Sequence, residues 1–200
     1  MAMSRWIQVE SNQGSGMRIS WVLTNTTSIN PAIDVEQLRN IGPFWGGWRT
    51  WRSYATDNVI CHIESEAQAL VNKNFHTRCN LYVPAAIYST INRPANVKVY
   101  QGEFHEMVDD PDDIVSMHLA AAHSDIVLLI GVDLRPRDLG DDRLAKHKWH
   151  NYKQYILHII KGNPDVQWVI LDQSSEIDKD FDDLPNLLFD KLENVLTQFR

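Results

Sequence analysis

Residues 126–130 read IVLLI and are followed directly by Gly131. Five apolar residues with no polar alternation, stopped by a turn residue, describe a strand buried on both faces. Such a strand belongs inside a parallel sheet that carries helices on each side. The rest of the chain agrees with this reading. Five more strand-like runs occur at 17–23 (MRISWVL), 58–63 (NVICHI), 79–83 (CNLYV), 97–100 (VKVY) and 166–171 (VQWVIL). Helix-like runs fall at 34–40, 65–74, 84–91, 112–123, 143–161 and 185–198. Acidic residues open the run at 112, as a helix dipole prefers. Gly162, Asn163 and Pro164 close the longest run. Strands alternating with helices require crossover connections, and crossovers pair strands in parallel. The chain therefore reads as α/β: a Rossmann-like, doubly wound, mostly parallel sheet of about six strands with helices on both faces.

Two hundred residues suffice for one domain, here 18–200, preceded by a polar N-terminal arm at 1–17. With 44% hydrophobic and 22% charged residues the chain can build a full core. Its formal charge of −7 disfavours bulk nucleic-acid binding, which wants a basic face, although Arg39, Arg49 and Arg52 are placed to form a local basic spot. No apolar run approaches the ~20 residues of a membrane span, and the first residues lack the apolar core of a secretory signal. The two cysteines, Cys61 and Cys79, lie in strand-like runs without metal-ligand spacing and read as small buried hydrophobes. These features fit a cytoplasmic, reducing compartment.

In a doubly wound sheet, ligands bind beyond the carboxyl ends of the strands. That rule selects candidates. After the first strand comes TNTTSIN, 24–30, where Asn25 and Ser28 either hold an anion at the next helix or form a Ser/Thr turn and cap. After the second come His62 and Glu64, read as a strand-end histidine that caps the following helix. After the fifth comes Asp133, placed to orient a hydroxyl or to form the turn. After the sixth comes Asp172. His147 and His150 are three apart and share a helical face, so either is a candidate general base or a surface histidine. The chain has no Gly-x-Ser-x-Gly, Walker, HExxH or Cys-x-x-Cys motif. No metal site and no resident cofactor is expected.

Residues 42–52 read GPFWGGWRTWR, with three of the seven tryptophans and three of the nine glycines. The block reads as an insertion at 41–57, longer than most connections between a helix and a strand. Trp45, Trp48 and Trp51 offer flat faces for a base or sugar. Arg49 and Arg52 offer planar cations for phosphate. The same residue types also suit a protein–protein or homo-oligomer contact, since Trp and Arg dominate hot spots.

Four motifs in order resemble those of Rossmann-like bacterial sialyltransferases and the related motility-accessory-factor-like glycosyltransferases. They are TNTTSIN at 24–30, DIVLLIGVDL at 125–134, HKWHNYKQYILHII at 147–160 and VQWVILDQSS at 166–175. The resemblance spans roughly 18–190. The Gly-Pro pair of that group's first loop is absent here, and the Trp-rich block, similar to segments of an uncharacterised phage protein family, lies outside the pattern. The resemblance implies a domain that binds a nucleotide, nucleotide sugar or other phosphorylated small molecule and transfers a group from it. The other function open at this point is a non-catalytic interaction or assembly domain.

Overall fold

A computed structural model describes residues 16–24, 38–73, 79–91, 96–100, 111–132, 134, 140–171 and 179–199. Eight strands form one sheet: β1 (Ile19–Leu23), β2 (Phe44–Gly47), β3 (Asn58–Ile60), β4 (Asn80–Pro84), β5 (Val97–Tyr100), β6 (Ile126–Ile130), β7 (Gln167–Leu171) and β8 (Leu187–Asp190). Every pairing is parallel, and the order is β5-β4-β3-β2-β1-β6-β7-β8. The chain builds outward from β1 in one direction, returns, and builds outward in the other. The switch point lies between β1 and β6, so the doubly wound reading holds with eight strands in place of six.

Among the described residues the helices are α1 (Trp48–Tyr54), α2 (Glu64–Asn72), α3 (Ala85–Tyr88), α4 (Pro111–His123), α5 (Arg143–Gly162) and α6 (Leu192–Gln198). Successive strand residues point to opposite faces. Val22, Trp45, Ile60, Tyr82, Leu129 and Trp168 face α4 and α5. On the other face, Val59, Leu81 and Val83 pack with α1, α2 and α3. There Trp21, Leu23, Phe44, Leu128 and Val169 pack with α6. β6 is buried at all five positions, as its unbroken apolar run requires.

Two elements differ from the sequence reading. Residues 41–57 are not an insertion loop: they contain β2 and α1, in the middle of the sheet. Glycines made the segment read as a loop, yet both ends of β2 need them. A Cβ on Gly42 would lie 2.1 Å from the Ile19 carbonyl oxygen, so only glycine lets the chain enter beside β1. A Cβ on Gly47 would lie 2.8 Å from the Asp112 Cβ, so only glycine lets α4 sit there. Phe44 and Trp45 fill the opposite faces, Phe44 stacking on Trp21 at 5.8 Å between centroids. The second difference is 185–198, read as one helix. It is strand β8 followed by α6. The Asp190 carboxylate accepts from the Lys191 backbone N–H (2.7 Å) and from the Asn194 side chain (2.6 Å), which starts the helix after the strand.

Candidate functional site

The carboxyl edge of the sheet gathers a group that the sequence alone did not join. β3 ends at Ile60, and the next two residues are Cys61 and His62. α4 starts at the same edge with Asp112 in its first turn. His62 Nδ1 lies 2.7 Å from Asp112 Oδ1. The carboxylate is 3% exposed and the imidazole 37%. Burial pushes the Asp112 carboxyl above its ordinary value, while the His62 hydrogen bond and the charges of His62 and Arg49 pull it back. With Asp112 ionised, Nδ1 carries the proton and Nε2 is the basic nitrogen of the neutral ring.

Three neighbours complete the site. Arg49, exposed at the start of α1, is close enough for its charge to act on Asp112. Tyr100 closes β5 at the same edge. Burial raises its phenol, and the negative charge of Asp112 adds to the rise. Cys61 is buried and its thiol is pushed up to about 12, first by burial, with Asp112 and Glu66 contributing. At neutral pH it is a thiol and not a nucleophilic thiolate. Cys79, at the other end of the β3–β4 pair, is raised to about 11 by burial. Both cysteines are buried and neither forms a disulfide, as the sequence reading has them.

The sequence-selected residues scatter. Trp45 is 3% exposed. Its ring stacks on His123 at 5.5 Å, tilts against Tyr82, and its Nε1–H donates to Ser20 Oγ at 3.2 Å. Trp48 is 6% exposed and packs among Val59, Cys61 and Leu70. Trp51 is half-buried beside it and donates to the Cys79 sulfur. Expected as stacking platforms for a ligand or partner, these rings are core, because β2 and α1 place them inside the sheet packing. Arg52 pairs with Glu66 at 3.1 Å and covers the Trp48 ring at 4.4 Å. Arg39 is bound to Asp57 near the opposite edge, so Arg39, Arg49 and Arg52 do not form one basic spot. Of the block's tryptophans and arginines, Arg49 is the one whose charge acts on Asp112.

His147 and His150 lie exposed on α5. The His147 ring meets Asn151 at 3.4 Å, and among the described residues no hydrogen bond or ion pair links either histidine to Asp112. Asn25, Ser28, Asp133 and Asp172 lie outside the described residues. No cluster of three metal-ligating side chains occurs among the described residues. Among them no helix is long and apolar enough to cross a membrane. An open cleft of about 330 Å³ lies at the amino edge, lined by Arg39, Asn40, Ile41, Gly42, Pro43 and Asp57. Its charged residues are committed to each other: Asp57 takes Arg39 and the Phe44 N–H. It braces the entry to β2 and holds no acid–base pair.

Sequence reasoning missed Asp112 because acids at a helix start are explained by the dipole. It passed over His62 because a strand-end histidine is common. The usable signal was conjunction: a histidine just after one strand and an acid opening a helix at the same sheet edge. The chain matches no protein-family model, no curated protein and no solved structure.

Proposed function

We propose that the protein binds a phosphorylated small molecule, a nucleotide or nucleotide sugar, over the carboxyl ends of β2, β3 and β5, and transfers a group from it. One observation carries this reading: a carboxylate buried to 3% exposure holds a half-exposed histidine at 2.7 Å, at the edge where open α/β sheets take their ligands. Burying an acid is costly. Here the cost fixes the orientation and tautomer of one imidazole, which is the arrangement of a general base and its orienting group. In the proposed step His62 Nε2 takes the proton of an acceptor hydroxyl. The oxygen forms its bond to the transferred carbon as the bond from that carbon to the phosphate oxygen breaks. The phosphate leaves with the electron pair, and Arg49 neutralises the charge it carries. Asp112 stays ionised throughout and positions the ring.

A thermal-shift series with nucleoside diphosphates and nucleotide sugars tests the reading, alongside nucleotide release measured on the same samples. A ligand at a hundred times its Kd stabilises by roughly 2.7 kcal/mol, a readable shift. The expected pattern is a shift for the native protein, loss of the shift in Arg49→Gln, and a retained shift with nucleotide release abolished in His62→Gln. No shift across the whole panel for the native protein overturns the proposal.

A further inference from the structure

The longest helix lies apart from this site and has its own chemistry. α5 carries five of the chain's 19 Lys and Arg (Arg143, Lys146, Lys148, Lys153 and Lys161), three histidines, and none of its 26 Asp and Glu. Its inward stripe is Trp149, Tyr152, Ile156, Ile159 and Ile160. At 100° per residue, Arg143, His147, His150, Gln154, His158 and Lys161 line up on the opposite face, and all six are exposed. Lys146, also exposed, flanks them. Among the described residues, Arg143, Lys146, His150, His158 and Lys161 have no acidic partner. Asp142 is spent on the N-cap, accepting from the Ala145 N–H at 2.9 Å. The face runs the length of a 20-residue helix, roughly 30 Å.

We propose that this face binds the phosphate backbone of double-stranded nucleic acid without reading its sequence. Charge complementarity chooses a polyanion, and composition chooses among polyanions. A folded acidic protein needs an apolar centre to its interface, yet the one large apolar side chain exposed on α5 is Leu144. A single strand is gripped by stacked aromatic rings, yet Trp149 and Tyr152 are buried against each other at 5.6 Å. What remains is a line of donors and cations spaced along one side, which suits phosphates presented by a rigid duplex. The net charge of −7 confines the contact to this helix and keeps it salt-sensitive.

Fluorescence anisotropy with a labelled short DNA duplex of arbitrary sequence, on the full chain, tests this. Each phosphate neutralised contributes about −0.9 to the slope of log K against log salt, so Arg143, Lys146 and Lys161 together predict a slope of roughly −3. The triple variant Arg143→Gln, Lys146→Gln, Lys161→Gln is expected to bind at least tenfold more weakly at low salt, with a flattened slope and an unchanged unfolding midpoint. Arg18→Gln, ahead of β1 and outside α5, with its charge already paired to Asp125, is expected to bind as the native protein does. The proposal is overturned by no duplex binding at low salt, by native-like binding of the triple variant, by tighter binding of the single strand, or by a polyglutamate peptide that competes as well as duplex at equal charge.

Discussion

The two edges of the sheet use the same side-chain chemistry to opposite ends. At the amino edge, carboxylates meet cations in the open. Arg18 pairs with Asp125 at 2.9 Å, with both side chains about half exposed, and the guanidinium holds the Asp125 carboxyl below its ordinary value. Two buried serines there share one chain of hydrogen bonds: Ser124 donates to Ser20 at 2.6 Å, and Ser20 also accepts from Trp45. At the carboxyl edge, Asp112 is buried deeply enough that its carboxyl is pushed up, against Gly47, where no side chain fits. One edge is arranged for stability. The other accepts a destabilising charge in order to hold a histidine in place, as sites do.

The largest effect that tests this contrast is at Trp45. If its ring serves the amino edge and the core, Trp45→Ala costs about 3–5 kcal/mol, since it opens a cavity, removes the indole donor to Ser20 and takes the stacked ring from His123. Urea denaturation reads it directly. A loss near zero would return Trp45 to the role of a ligand-stacking ring and erase the distinction between the edges. The same measurement at Gly47 probes the other edge. Gly47→Ala drives a methyl group to 2.8 Å from the Asp112 Cβ, and overpacking of this kind costs about 1–3 kcal/mol. Because the methyl displaces Asp112, His62 loses its orienting group. The variant is therefore expected to lose nucleotide release by more than its stability loss explains at temperatures where it is fully folded. Native-like release in a folded Gly47→Ala protein would sink the claim that Asp112 positions the imidazole.

The contrast also explains what could be read in the chain. β6, α4 and α5 were legible because hydrophobic period alone specifies them: five unbroken apolar residues, then two long amphipathic runs. β2 was not, because FWGG has the composition of a turn. Its glycines are set by what approaches them, the Ile19 carbonyl at one end and Asp112 at the other for Gly42 and Gly47, and neither neighbour is local in sequence. β8 was hidden for a related reason. Leu187 and Leu188 serve opposite faces of a strand, but LLFDKLENVL also fits a helix. The candidate site was least legible of all. His62 and Asp112 are 50 positions apart, and only the return of the chain from β5 to β6, carrying α4 across the sheet, brings them to 2.7 Å.

The smallest effect is also the most discriminating, because it turns on sign. Asp112 has a raised carboxyl in the native state, so between its ordinary value of 3.8 and that raised value the native protein binds more protons than the unfolded chain. Stability therefore falls as pH rises through that window. Asp125 is lowered, so its contribution is present above 3.8 and is lost as pH falls toward the native value. Replacing each acid with asparagine removes each dependence separately. Relative to the native protein, Asp112→Asn is expected to gain stability as pH rises from about 4 toward neutrality, and Asp125→Asn to lose it as pH rises from the acid side. The Asp125 effect shrinks further with added salt, because that pair is exposed and screened, whereas the Asp112 effect persists. Unfolding midpoints of the three proteins across that range, at low and high salt, decide the matter. If the two variants follow the native protein with the same pH trend, the two carboxylates experience the same environment and the division of labour between the edges is wrong.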